Sequence, residues 1–347
     1  MKPSRRRLLL VASATIVLAH HTAAAQEPLT PHRFLEEHIG FSDDEIRDVE
    51  KGKVVTEVLK TSEKSEVAVF GIVRLAGSLP HASELVLDVE GYANENTTRI
   101  AAISDPPRPE DFALLSLPEK DIESLAECRP GKCDVKLPGA AIERFQSEID
   151  WKAPDHAAAA NALFREILFD YATAYRKAGN RALMVYHHEK DPAPLAESLG
   201  HLLGNSPYLY EALPELYAYL ESYPQSAPAG VRDFFYWSVE EFGLKPTIRM
   251  THVTVLQLES DDDAEIFVAT KLLYASHYYR GSLAVYALAR EPLGGAEAKE
   301  YVVSLERTRA DGLTGMLGAV TRGKLTAGME KRTKVALEQI SAAAHGK

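Results

Sequence analysis

His252 and His277 are the residues of this chain whose type and setting could do chemistry. His252 falls in an alternating stretch where Ile248, Met250, Thr254 and Leu256 share its face, and His277 shares a face with Leu273, Ala275 and Tyr279. Two imidazoles on neighbouring strands among apolar side chains form a polar spot able to orient a ligand or move a proton. The plainer alternative is a hydrogen-bonded core histidine at each position. Trp237, Tyr274 and Tyr279 belong to a tyrosine-rich aromatic set that could line the same pocket, although such a set more often fills a core, and a buried tyrosine hydroxyl needs a partner. Arg309, beside Arg307 and Asp311, could grip a carboxylate or phosphate at the pocket mouth. Its competing assignment has Asp311 capping the last helix and the arginines in ordinary surface pairs.

Other chemistry finds less support. His187-His188-Glu189 invites a metal reading, but adjacent residues on a helix do not face one another, so no metal site is expected. The sequence contains no G-x-S-x-G, P-loop, H-E-x-x-H or G-x-G-x-x-G, and no nucleophile, base and orienting acid converge. Ligand binding therefore ranks first, with no cofactor implied. A cofactor-free enzyme using His252 and His277 ranks third, behind an interaction scaffold.

These residues must be positioned by the elements around them. Segments 233–240, 247–258, 265–279, 282–290 and 299–309 are rich in β-branched and aromatic residues. The breaks fall at Gly243 and Pro246, at Asp261-Asp262-Asp263, at Arg280-Gly281 and at Pro292-Leu293-Gly294-Gly295. A parallel pair needs a crossover of about a dozen residues, so these short connections predict an antiparallel meander. One long helix follows. Its Gly312, Gly315, Gly318, Gly323 and Gly328 are expected to permit close approach to the sheet or to a ligand. Its Arg322, Lys324, Lys331, Arg332 and Lys334 outnumber Glu330 and Glu338, so the helix is a candidate for peripheral contact with anionic lipid. A solvated basic face on a core-packed helix is the simpler account.

Upstream, 53–60 and 66–75 read as a hairpin, Ser42 and Glu45 as a capping box opening a short helix, 81–89 as helical or irregular, and 97–104 as a strand stopped by Asp105-Pro106-Pro107. Helical periodicity then dominates to residue 223, as in Leu163, Ile167, Tyr171 and Ala174, or Leu195, Leu199, Leu202 and Leu203. Amphipathic helices need a surface to bury against. The expected organisation is a helical insertion at 109–224 packed on an α+β scaffold built from 26–108 and 225–347.

The order of elements is strand pair, short helix, strand, helical insert, meander and long C-terminal helix. Without the insert it resembles the helix-grip fold of the START-like, or Bet v 1-like, superfamily. The run from Trp237 through Gly243-Leu244-Lys245-Pro246 to Thr251-His252-Val253, and Ala275-Ser276-His277-Tyr278-Tyr279, are also similar to such lipid-binding domains. The resemblance spans roughly 53–104 and 231–340. It implies a curved antiparallel sheet wrapped on the C-terminal helix over an apolar cavity, and a lipid or other hydrophobic small molecule as ligand. It brings no universal catalytic residues.

Residues 1–25 carry Lys2, Arg5, Arg6 and Arg7, an apolar run from Leu8 to Leu18 and then Ala23-Ala24-Ala25, the pattern of a secretory signal peptide. Ser4-Arg5-Arg6-Arg7-Leu8-Leu9 also resembles a twin-arginine signal. Cleavage before Gln26 removes four positive charges and no negative one, moving the formal net charge from −11 to −15. That balance argues against nucleic acid as a partner. The expected location is the periplasm or the medium. There, Cys128 and Cys133, around Arg129-Pro130-Gly131-Lys132, are expected to close a local disulfide. A scaffold docking another envelope protein would use the insertion, around Tyr208, Tyr210, Tyr217 and Tyr219.

Overall fold

A computed structural model describes residues 31–75, 93, 96–241, 245–259, 264–291 and 299–344. The expected signal peptide, the stretch 81–89 and the turns around Gly243, 261–263 and 292–295 lie outside these residues. The protein is α+β. Among the described residues the strands are β1 (Val55–Leu59), β2 (Glu66–Arg74), β3 (Thr97–Ile103), β4 (Val185–Tyr186), β5 (Ala193–Pro194), β6 (Val231–Glu240), β7 (Thr247–Glu259), β8 (Ala264–Ala275), β9 (Tyr279–Glu291) and β10 (Lys299–Ala310). β4 and β5 form a ribbon of their own, and the other eight form one sheet in the order β1-β2-β10-β9-β8-β7-β6-β3. Each strand from β6 to β10 pairs antiparallel with the next, which is the expected meander. The β1–β2 hairpin joins at β10 and β3 joins at β6. Among the described residues the sheet is open.

One turn falls elsewhere than the sequence suggests. β8 stops at Ala275, and the chain reverses over Ser276, His277 and Tyr278, with Tyr278 at φ 59° and Tyr279 N donating to His277 O at 2.6 Å. Arg280 and Gly281 are therefore inside β9. Gly281 is needed there for packing, because a Cβ would lie 2.8 Å from Ser198 Cβ in the helix Leu195–Gly204.

Successive strand residues point to opposite faces, and each face has its own helical layer. Phe235, Trp237, Met250, Phe267 and Val285 share one apolar cluster with Phe145, Phe164, Leu168 and Leu202 of the helices between Pro109 and Ser222. The helical region thus has a common core with the sheet. At the β2 end of this face the helix Asp43–Glu50, opened by the expected Ser42–Glu45 capping box, adds Ile46 and Val49 beside Phe70 and Ile72. The opposite face carries Val73, Tyr236, Val253, Val255, Leu288 and Val302, packed with Leu337 and Ile340 of the C-terminal helix Gly318–Ala344.

The glycine that lets this helix approach is in the sheet. A Cβ on Gly71 of β2 would lie 2.6 Å from Thr333 Cγ2 and 2.7 Å from Leu337 Cδ1. The helix's own Gly323 has nothing within 4 Å, and Gly312 and Gly315 precede the helix at φ 72° and 84°. Gly318 does admit a close approach, since a Cβ there would lie 2.6 Å from Leu313 O, but none of the helix glycines is the one that meets the sheet. Gly71→Val should destabilise the fold by about 1–3 kcal/mol through overpacking. Gly323→Ala should instead stabilise it by up to about 1 kcal/mol. Urea unfolding of the two variants checks the pair, and equal effects would contradict this packing.

Candidate functional site

A sheet face covered by a helix ordinarily carries apolar side chains. Here the face toward the C-terminal helix also carries a polar belt: Tyr236 and Glu240 on β6, Arg249 and Thr251 on β7, Ser282 and Tyr286 on β9, and Ser304, Glu306 and Thr308 on β10. Arg249 is its centre. Its Nη1 donates to Glu240 Oε1 at 3.0 Å and Oε2 at 3.1 Å, and its guanidinium lies 4.9 Å over the Tyr279 ring. Its buried Nε has no hydrogen-bond partner among the described residues. Burial opposes the Arg249 charge, but Glu240, Tyr279 and Tyr236 outweigh it and raise its pKa.

Burial also pushes the phenols of Tyr236 and Tyr279 up to about 12, and that of Tyr286 up as well. All three stay protonated at neutral pH and can donate a hydrogen bond. Glu306 and Arg332, the latter from the C-terminal helix, act on Tyr279 and Tyr286. Thr308 Oγ1 donates to Ser282 Oγ at 3.0 Å. The belt offers donors to an oxygen-bearing group in apolar surroundings, and within it the Thr308 hydroxyl also reaches Glu306 Oε1 at 3.2 Å.

Of the six residues expected to meet a ligand, Tyr279 alone touches this belt. His252, Trp237 and Tyr274 belong to the other face. Trp237 Nε1 donates to Asp111 O at 2.8 Å, and the Tyr274 ring lies against Phe164 and Tyr186. His252, 1% exposed, is the middle of a sealed polar network. Its Nε2 faces Asp233 Oδ1 at 2.8 Å and its Nδ1 faces the Tyr175 hydroxyl at 3.0 Å. Asp233 also accepts from Thr254 Oγ1 at 2.8 Å and from the Tyr219 hydroxyl at 2.5 Å. A neutral imidazole protonated on Nε2 donates to Asp233 and accepts from Tyr175, so every partner is met without a second buried charge.

Burial, outweighing Asp233, lowers the His252 pKa to about 4. Burial opposes the Asp233 charge too, but His252, Tyr219 and Thr254 hold its carboxyl below the ordinary value. Lys271, equally buried, donates to Asn180 Oδ1 at 2.8 Å and lies 4.9 Å from the Tyr223 ring centre, and burial lowers its pKa to about 7.

His277 is a turn residue, where the sequence suggested a strand position. Its Nε2 lies 2.9 Å from Asp121 Oδ2 and its Nδ1 lies 3.1 Å from Asp134 O, and the side chain is buried. The two histidines do not share a pocket. Arg309 donates to Glu63 Oε2 at 2.9 Å near the β1–β2 turn, on the face away from the C-terminal helix. Asp311 does not cap that helix, which starts at Gly318. Instead it pairs with buried Lys136 and with Arg280.

His187, His188 and Glu189 lie in an irregular segment, not on a helix. His188, Glu189 and Asp311 have ligand atoms within 4.8 Å of one another, at a cleft of about 610 Å³ beside the Cys128–Cys133 bridge. His188 Nε2 is 3.7 Å from Asp311 Oδ2, an ion-pair distance too long for a hydrogen bond. Lys136 and Arg280 already supply two positive charges against the two carboxylates, and a cation would have to displace them.

The tyrosines of the helical region form no common exposed patch. Tyr219 and Tyr208 are tied to Asp233 and Ser206, leaving Tyr210 exposed and in edge contact with Tyr217. Arg249 and Glu240 are absent from the sequence reading, and Tyr236 and Tyr286 enter it only as members of the aromatic set. Their signal was present: Arg249 and Thr251 share a face with Val253 and Val255, and Ser304, Glu306 and Thr308 alternate on a strand expected to be covered. The chain matches no family model, no curated protein and no solved structure.

Proposed function

We propose that the protein binds an amphipathic, largely apolar small molecule such as a lipid between the sheet and its C-terminal helix, with the ligand's oxygen-bearing end at Arg249 and the neighbouring phenols. The observation that carries this reading is the partly buried Arg249–Glu240 pair under Tyr279, set on a helix-covered face otherwise lined by Val253, Val255 and Leu288. Packing alone does not account for such a belt, because a buried ion pair often stabilises a fold less than apolar residues of the same volume. The element order fits a helix-grip arrangement in which a curved sheet wraps the last helix. The N-terminal sequence fits a protein acting in the periplasm or outside the cell.

Tyr279→Phe removes one donor and keeps the ring. It should weaken displacement of a bound fluorescent fatty acid about tenfold, the equivalent of one hydrogen bond of about 1.4 kcal/mol. Tyr274→Phe, on the opposite face, should leave it unchanged. Equal binding by the two variants, or no binding by the native protein, would overturn the assignment.

A further inference from the structure

Asp311 and Glu330 bracket eighteen residues, 312–329, without one carboxylate, in a chain of formal net charge −11. The start of this segment projects from the fold. Met316 is fully exposed, Leu317 is 73% exposed and Val320 is 59% exposed. Elsewhere among the described residues, large exposed apolar side chains such as Leu114, Val58 and Tyr210 are scattered singly. The projection has a fixed base, because Leu313 is buried with Val67, Val69 and Met329.

A basic collar surrounds it. Arg322 and Lys324 follow within the helix, and Arg322 joins the β1–β2 turn by donating to Lys64 O at 2.9 Å and Thr61 Oγ1 at 2.8 Å. That turn presents the exposed Lys60 and Lys64. The nearest acids are engaged internally, Glu63 with Arg309 and Asp311 with Lys136 and Arg280.

We infer that this tip and its collar are a docking surface for an anionic lipid bilayer. Met316, Leu317 and Val320 enter the interface, and Lys60, Lys64 and Lys324 meet the head groups. Three apolar side chains on one short projection are far too few for a stable interface with a second copy, which needs roughly 800 Å² from each partner. They suit interfacial insertion, where a small apolar wedge and several basic residues act together. The sequence suggested the whole basic helix as the contact, whereas the geometry points to the turn before it and the first turns of the helix. The inference does not depend on the pocket ligand proposed above.

Flotation of the full chain with phosphatidylglycerol-containing vesicles, against pure phosphatidylcholine vesicles, tests it. The protein is expected to float with the anionic vesicles only, and less as salt is raised. The double variant Met316→Glu, Leu317→Glu should reduce the bound fraction at least tenfold with an unchanged melting temperature, since neither side chain is buried. Lys324→Glu should give a smaller loss. Failure of the native protein to float, equal flotation of the double variant, or a dimer that the double variant dissolves would each overturn the inference.

Discussion

Glu66→Ala is expected to lower the unfolding free energy by about 3–5 kcal/mol. Glu66 is the first residue of β2 and is fully buried. Its Oε1 accepts from Arg307 Nη1 at 2.5 Å, and its Oε2 faces His201 Nε2 at 2.8 Å. Arg307 is buried as well, and its other contact is the Tyr208 hydroxyl at 3.4 Å. Removing the carboxylate leaves that guanidinium with no opposite charge in a place water does not reach. The triad also connects β2, β10 and the helix Leu195–Gly204, so its loss loosens both layers on this side. The double variant Glu66→Leu, Arg307→Met removes both charges and should recover most of the loss. An exposed pair such as Arg33 with Glu37 should cost under about 1 kcal/mol when broken. Urea midpoints with unchanged slopes check the series, and a double variant as unstable as Glu66→Ala would show that the loss is one of packing.

Acidification is expected to destabilise the protein in two steps. The folded-state pKa of His252 is about 4, against an ordinary 6.5, so between those values the unfolded chain binds the extra proton. Stability therefore falls as pH drops from 6.5 toward 4, by as much as about 3 kcal/mol at about 1.4 kcal/mol per pH unit. Asp233, with its carboxyl held low, adds a further loss below its ordinary value of 3.8. Lys271 acts in the same direction at higher pH: with a folded pKa near 7 and an ordinary value of 10.5, it lowers stability as pH falls from 10.5 to 7. His252→Gln should flatten the lower step and leave the upper one. Denaturant titrations across pH 4–10 measure this, and a native profile without a slope between 6.5 and 4 would contradict the neutral His252 assignment.

The meander was legible in the sequence because its signals are local: β-branched runs, breaks of a few residues and strict alternation. The sequence also indicated the capping box at Ser42 and the Cys128–Cys133 turn. The reversal at His277 was harder, since Arg280-Gly281 is the stronger turn signal and the glycine there instead admits the helix bearing Ser198. The partners of the histidines could not be read, because Asp121 lies 156 residues from His277 and Tyr175 lies 77 residues from His252. Periodicity placed His252 among apolar neighbours without saying which helical layer would cover it. The polar belt shows in the sequence only through phase, as a charged residue in step with Val253 and Val255. The tie between Glu66, His201 and Arg307 joins three distant segments and leaves no local trace.

Under the proposed function a ligand is held between the sheet and the C-terminal helix. Native mass spectrometry of the purified full chain, followed by organic extraction of the same sample, tests it most directly. The expected result is an adduct of a small, oxygen-bearing apolar molecule that is released by extraction and depleted in Tyr279→Phe. A single mass equal to that of the polypeptide, no extractable molecule and no uptake of a fluorescent fatty acid would contradict it.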